Sequence, residues 1–574
     1  MADLSYGPLL YDLPGIIGGG ITGLASAYYL SQIIPYAKIT IYDARPRLGG
    51  WLSSKGVDVD DGTVLFEAGP RTLRPLGNGI LASRLIHELG LEEDTIFTKS
   101  SSPAATNRFI YYPDHLVRVP SPAPGVTVFD ILYTLFTEPA FKGLWWRGVA
   151  EGFVHPRDAT VEDESIGSFI SRRMGKDAVN RVASALMHGI YAGDIWKLSA
   201  KSLFEAPWRF EAEEGSVSEG VLKTMIEGRE MTTRERTFAE MMRAPYPYTP
   251  SFKENMKHAN VFTLKGGLGQ LSDALVEKLR RNPNISFRTN TAVSALQPVP
   301  NDASAMTVTI PTAEPSSEPL SVNHTHIIST ISPSKLSSIL STTDELRADF
   351  SPLAQIPSVS VMTVNLYFHT PNLHPPGFGY LIPLATPITQ NPEMALGVVF
   401  DTAYAPHHSM ADAEFGHHVG PAQDTVSKRG TKITVMLGGH YWDGWPVYPS
   451  KDEGIQMARS LVERHLGITE APVAAAANLQ SECIPQYTVG HEARIRRTHE
   501  ALKRRYKGRL RVAGNWARGV GVNDCLRSAW DLVRELREEG GTGLEAVVEE
   551  KKWVRIKRVK KKRVERDDGE KEEK

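Results

Sequence analysis

Apolar and polar positions at the start of the chain read as strand, glycine turn, helix and strand: "GIIGGG", then "ITGLASAYYLSQI" at helical spacing, then "KITIYD". This order is a βαβ unit. Pro14 and Gly15 interrupt the first strand, where a continuous apolar run is the rule, so an irregular beginning is expected. From about residue 120 to 245 the pattern turns helical and aromatic, as in "VFDILYTLFTEPAFKGLWWRGVAEGFV". Trp145 and Trp146 stand there beside Lys142 and Arg147, an arrangement that suits either the core of a helical unit or an anchor at a membrane interface. Between 258 and 312, "LKGGLGQLSDALVEKL" is a glycine turn into a helix, and "ISFRTNTAVSALQ" and "AMTVTIP" are strand candidates. "SVSVMTVNLYF", "MALGVVFD" and "KITVMLGGH" predict a second sheet. "RLRVAGNWARGVGVNDCLRSAWDLVRELRE" then returns to strand, glycine loop and helix. Glycine-turn units at the start, middle and end predict an α/β protein whose first domain is discontinuous and interrupted by others.

With 574 residues, 41% of them apolar and 23% charged, the chain has the make-up of a globular protein of two or three units. A formal charge of -1 gives no global attraction to nucleic acid. Charge is segregated only at the end, where "KKWVRIKRVKKKRVER" (551–566) precedes "DDGEKEEK". That stretch reads as a solvated, disordered tail, with an anionic membrane or a nuclear signal as its functional alternatives. Cys483 and Cys525 are the two cysteines and neither sits in a CxxC pair, which points away from a disulfide scaffold. No run reaches the roughly 18 apolar residues of a spanning helix. "MADLSYGPLLYDLPG" matches neither a secretory signal nor a transit peptide. His407, His408, His417 and His418 fall in a polar insertion that looks like a loop; adjacent histidines in a strand would face opposite ways, so no metal site is expected.

Gly18, Gly20 and Gly23 form G-x-G-x-x-G after a strand and at the opening of a helix, the context in which the pattern binds a dinucleotide. Gly18 allows the tight turn, Gly20 lets backbone approach a pyrophosphate, Gly23 lets helix and sheet close up, and the helix N-terminus faces the anion. Asp43 ends the second strand, placed to accept from a ribose hydroxyl.

Asp43-x3-Arg47-x-Gly49-Gly50-Trp51 resembles the E-x3-R-x-G-G motif of the flavin amine oxidase superfamily, with Asp for Glu, and the resemblance implies FAD rather than NAD. "FEAGPRTLRP" (66–75), "AATNRFIYY" (104–112), "GIYAGD" (189–194), "PPGFGYLIP" (375–383), "VMLGG" (435–439), "CIPQYTVGH" (483–491) and "GVGVNDCLRSAW" (519–530) resemble the oxygen-dependent, mitochondrial-type protoporphyrinogen oxidases, in the same order. The resemblance runs from about residue 16 to 540 and omits the tail and the histidine-rich insertion. It implies that Gly18, Gly19, Gly20, Ile21, Thr22, Gly23, Asp43, Arg47, Gly49, Gly50, Trp51, Gly69, Pro70, Arg71, Thr72, Val293, Asn515, Val520, Gly521 and Val522 hold FAD. It implies Arg108 for a substrate propionate, with Phe378, Leu381 and Met436 sandwiching the macrocycle, and no certain protein base. The implied architecture is a Rossmann-like FAD domain (1–80, 257–324, 486–545), a mixed-sheet substrate domain (81–102, 223–256, 325–485), a helical membrane-binding domain (103–222) and a charged disordered tail (546–574). Protoporphyrinogen IX and O2 are the implied reactants, and a homodimer on the mitochondrial inner membrane, passing product to ferrochelatase, the implied setting. Coproporphyrinogen oxidation, amine oxidation and a non-catalytic flavoprotein scaffold are the rival readings.

Overall fold

The computed structural model describes residues 13–121, 126–299, 302–312, 318–404, 418–537 and 540–556. A five-stranded parallel sheet forms the first layer, in the order Ile285–Arg288, Ile39–Tyr42, Pro14–Ile17, His326–Ser329, Leu510–Val512. The strand interrupted by Pro14 is its centre, and all four of its residues are buried. Proline is tolerated because it is the first residue of the strand, where the missing N–H is least needed. The helix Ile21–Ile33 follows as the sequence predicts and packs against Val522–Arg534, the helix of the last glycine unit. One apolar core, including Leu24, Leu271, Leu275 and Leu526, covers one side of the sheet. Another, including Leu336, Phe350, Ile495 and Leu502, covers the other. Helices on both faces are what a parallel sheet requires.

The second sheet has seven strands, in the order Ala474–Pro485, Ser358–Phe368, Thr431–Gly438, Ala395–Phe400, Gly379–Leu381, Phe109–Tyr111, Leu116–Arg118. Its pairs are antiparallel except Gly379–Leu381 with Phe109–Tyr111. Met362, Val364, Leu366, Ile433, Val435 and Leu437 point to one side, onto the helix Lys451–Leu466. Strand alternation sends Thr363, Asn365, Thr434 and Met436 to the other, towards the first domain.

Helices between Val128 and Glu227 form a third unit around Ile166, Phe169, Met187 and Trp208. Glu211, fully buried there, accepts from Arg157, Arg172 and Arg173.

The elements depart from the expected limits at several points. His326–Ser329 joins the parallel sheet beyond 324, and Phe109–Tyr111 with Leu116–Arg118 complete the mixed sheet rather than the helical unit. Leu81, Leu85, Phe97, Phe238 and Phe252, expected with the substrate domain, bury in the core of the first. The tail is not disordered up to 556: Glu545–Val548 is helical, and Trp553–Ile556 pairs antiparallel with Arg229–Thr232. Arg209 lies 4.1 Å from the ring of Trp553, which gives that strand a partner invisible in local sequence. Residues from 557 on, and His407, His408 and His417, lie outside the described residues.

Candidate functional site

The parallel strands end on a cavity of about 740 Å3, the position where open α/β sheets bind ligands. Gly18, Gly20, Ile21, Thr22, Asp43, Gly50, Trp51, Pro70, Val293, Asn515, Val520 and Val522 line it. Gly19, Gly23, Arg47, Gly49, Gly69, Arg71, Thr72 and Gly521, also expected to hold the cofactor, do not line it. A Cβ on Gly23 would come within 1.9 Å of the Gly18 carbonyl, so only glycine lets the helix meet the loop. Gly49 donates to the Gly19 carbonyl at 2.8 Å, and a Cβ on Gly50 would lie 3.0 Å from the Gly20 Cα. The two glycine loops therefore abut backbone to backbone. With φ of +101° and +62°, Gly49 and Gly50 also occupy the left-handed region that disfavours side chains.

Asp43 ties this arrangement together: its carboxylate accepts from the N–H of Gly19 and of Arg45, both at 2.8 Å, with lone pairs left over for a ribose. Arg47 does not reach the cavity; it donates to the Gly50 carbonyl at 2.8 Å and braces the turn. The wall also holds residues the sequence motifs did not indicate. They include Arg45, 4.5 Å from the Trp51 ring, together with Lys335, Thr330 and Cys483. Their signal is absent from any short motif because they come from separate segments. Glycine-floored backbone, a helix N-terminus and flanking cations fit an adenine dinucleotide, and the cavity's volume leaves room for a flavin. A larger hollow, about 860 Å3, lies among Arg234, Arg518, Arg527, Asp531 and Glu535. Arg234, Arg518 and Arg527 are already paired there with Asp531 and Glu535.

Arg71 also differs from expectation. It sits beside the cavity's Pro70 but turns to Asp401, 3.2 Å away, with both side chains below 10% exposed. Asp401 accepts from Thr434 Oγ1 at 2.5 Å and from the Tyr404 hydroxyl. Asn365 accepts from Thr434 and donates to the Glu67 carbonyl, and Thr363 and Gln480 both donate to the Ala68 carbonyl. The segment 67–71 is thus laced to the inner face of the mixed sheet. Burial pushes the Glu67 carboxyl up to about 7, against the opposing hydrogen bonds it accepts from Ser54 and the Leu268 N–H.

On that inner face, register places Leu381 opposite Gly397 and Gly397 opposite Met436. Gly397 makes room for Leu381, whose Cδ2 would lie 2.9 Å from a Cβ placed there. Met436 and Phe378 pack against the cluster of Val399 and Tyr404, and Met436 and Cys483, a wall residue of the dinucleotide cavity, against that of Val359, Val361 and Leu396. Gly189 closes on Leu381, since a Cβ there would lie 2.8 Å from its Cδ1. Arg108 stands exposed at the edge, 5.7 Å from the Phe378 ring, with no carboxylate partner among the described residues. Partial burial and the nearby Arg74 lower its proton affinity.

Behind Leu381, His188 Nδ1 contacts the Ile382 carbonyl at 2.7 Å and His188 Nε2 meets His440 Nε2 at 2.9 Å. A carbonyl only accepts, so neutral His188 carries its proton on Nδ1 and His440 donates from Nε2. Burial holds both rings neutral, at about 3 and about 4. This chain of contacts clamps three elements that carry the wall.

The family model for flavin-containing amine oxidoreductases matches residues 21–536. A protoporphyrinogen oxidase from Schizosaccharomyces pombe is 33% identical, over 91% of this chain and 98% of its own. The protoporphyrinogen oxidase of Homo sapiens is 31% identical, over 89% and 96%. Among solved structures, a putative protoporphyrinogen oxidase from Exiguobacterium superposes with a TM-score of 0.64 at 23% identity, covering 92% of this chain and 99% of that one.

Proposed function

The chain belongs to the flavin-containing amine oxidoreductase family, and on that premise we propose that it oxidises protoporphyrinogen IX to protoporphyrin IX, the penultimate step of heme biosynthesis. Three two-electron oxidations consume O2 and release hydrogen peroxide. Bound FAD supplies the hydride acceptor that O2 reoxidises. The observation that carries the reading is the row Leu381, Gly397, Met436, set on the face laced to the segment 67–71. A face of apolar side chains beside the dinucleotide cavity suits a flat tetrapyrrole and excludes water from it. Phe378 closes one side, and Gly189 admits Leu381 at van der Waals distance.

Arg108 holds one propionate by a charge-assisted hydrogen bond, and Arg74 is the second cation at that edge. Two cations suit two propionates, whereas coproporphyrinogen, with four, calls for more. Leu381, Met436 and Phe378 offer no base, so pyrrole protons leave to water while the protein's part is orientation and desolvation.

No helix among the described residues is long and apolar enough to cross a membrane. Yet Phe129, Tyr133, Trp146, Phe153, Leu222 and Ile226 are 56% to 88% exposed. Their number favours a surface that rests on a bilayer, where the apolar substrate and product partition. The mitochondrial inner membrane, a homodimer and transfer of product to ferrochelatase belong to the same reading.

The test is anaerobic mixing of FAD-loaded protein with protoporphyrinogen or coproporphyrinogen, followed by air. Flavin bleaching with protoporphyrinogen and porphyrin fluorescence on aeration are expected. A flavin that stays oxidised with both substrates overturns the proposal.

A further inference from the structure

FAD carries its formal charge on the diphosphate that joins its two halves, so a cation on the cavity wall has that group to meet. Four charged side chains line the cavity: Asp43, Arg45, Lys335 and Glu482. Two acids and two bases leave the wall without net charge, so the diphosphate is compensated only where a cation is placed against it. Asp43 is committed to the N–H of Gly19 and of Arg45, and the Arg45 guanidinium lies 4.5 Å from the Trp51 ring. Lys335 is exposed, and its ammonium has no hydrogen-bond or ion-pair partner among the described residues.

The strand next to the glycine loop sets where Lys335 stands. His326–Ser329 runs parallel to Pro14–Ile17, and the chain leaves it through Thr330. Thr330 donates its N–H to the Ile17 carbonyl at 2.8 Å and its hydroxyl to the Gly18 carbonyl at 3.0 Å. A Cβ on Gly18 would lie 3.2 Å from the Ile331 Cγ2. The segment thus abuts the turn that opens the glycine loop, and the helix Pro333–Leu340 follows directly, with Lys335 in its first turn. That turn holds no acid, and the partial positive charge at the start of a helix disfavours a cation. A bound anion removes that cost. We propose that the Lys335 ammonium pairs with the FAD diphosphate at the glycine loop, so that part of the hold on FAD is ionic and weakens with salt. The backbone N–H groups of the loop carry no net charge, so their share is screened far less. The inference rests on FAD as the cofactor and is independent of what the flavin oxidises.

The experiment dilutes the FAD-loaded chain and follows released flavin by its fluorescence, comparing the parent with K335Q, K335R and K38Q. Lys38 is exposed and precedes the strand Ile39–Tyr42, at the end away from Asp43, so K38Q removes the same charge without touching the cavity. K335Q is expected to weaken FAD binding about tenfold or more, the size of a lost charge-assisted hydrogen bond. K335R should recover most of that loss, and K38Q should match the parent. Between about 0.1 M and about 1 M salt the Debye length falls from about 10 Å to about 3 Å, and the parent should lose affinity where K335Q changes least. Circular dichroism, expected equal in all four chains, reports the fold. Parent-like retention of FAD by K335Q at low salt overturns the proposal. An equal loss in K38Q overturns it too, because the effect would then be one of net charge. Neither result requires a porphyrinogen, so a failure here is distinct from a failure of the substrate reading.

Discussion

Replacing Asp401 with alanine removes the carboxylate that lies 3.2 Å from the Arg71 guanidinium. At 3.2 Å and an effective dielectric constant of about 20, the gross attraction is on the order of 5 kcal/mol. Nothing nearby takes its place: Arg71 Nη2 has no hydrogen-bond partner among the described residues, and Nη1 has only the Gly69 carbonyl at 3.2 Å. The variant leaves a buried cation with no paired carboxylate and only the electrostatic influence of Glu67, and it takes an acceptor from the hydroxyls of Tyr404 and Thr434, of which Thr434 still reaches Asn365. Breaking such a pair from one side costs about 3–5 kcal/mol. Because the network ties the segment 67–71 to the sheet carrying Leu381 and Met436, the loss appears twice, as lowered thermal stability and as flavin released on dilution. A melting temperature lower by on the order of 5 °C and faster flavin loss in gel filtration are expected. Asp401→Asn keeps the hydroxyl contacts and should fall between alanine and the parent. A stable Asp401→Ala protein with full flavin content would contradict this account, because it would mean that the guanidinium is solvated or satisfied without Asp401.

Gly20→Ala should fold, since its Cβ meets nothing closer than the Gly50 Cα at 3.8 Å, yet lose flavin because the methyl enters the space of the pyrophosphate; Gly23→Ala, 1.9 Å from the Gly18 carbonyl, should lose the fold itself, and circular dichroism with flavin absorbance separates the two. Arg108→Ala should raise KM about 10- to 100-fold with a smaller change in kcat, the size of a lost charge-assisted hydrogen bond, while Arg108→Lys recovers part; an unchanged KM would remove Arg108 from the substrate site. His188 and His440 titrate near about 6.5 when unfolded but stay neutral in the fold down to about 3 and about 4. The unfolded chain therefore binds protons that the folded chain refuses, so stability is complete above about pH 7 and declines as pH falls through 6.5 towards about 4. Unfolding free energies from denaturant titrations at about pH 7 and pH 5 should differ by on the order of 2 kcal/mol for each ring, and the double variant His188→Asn/His440→Asn should lose that part of the slope.

Local order along the chain was enough to specify the separate units. Pro14 to Tyr42 was legible because strand, glycine turn and helix follow each other within one βαβ unit, and the helix Ile21–Ile33 has the expected bounds. Ser358–Phe368 was legible as a strand from its apolar, β-branched run. Gly18 and Gly23 were legible because a side chain at either would meet neighbouring atoms at 2.6 Å or closer.

How distant segments meet was settled by packing alone. Nothing local in "FEAGPR" or "VVFD" says that Arg71 faces Asp401, since the pair is set by two sheets packing across more than 300 positions of sequence. The alignment of Leu381, Gly397 and Met436 depends on strand register, which a one-residue slip would invert, and no motif encodes it. For the same reason the end of the chain read as a tail, although Trp553–Ile556 finds its ladder partner at Arg229–Thr232. A strand's hydrogen bonds are made with another segment, so its sequence carries propensity while the partner, once folded, supplies the structure.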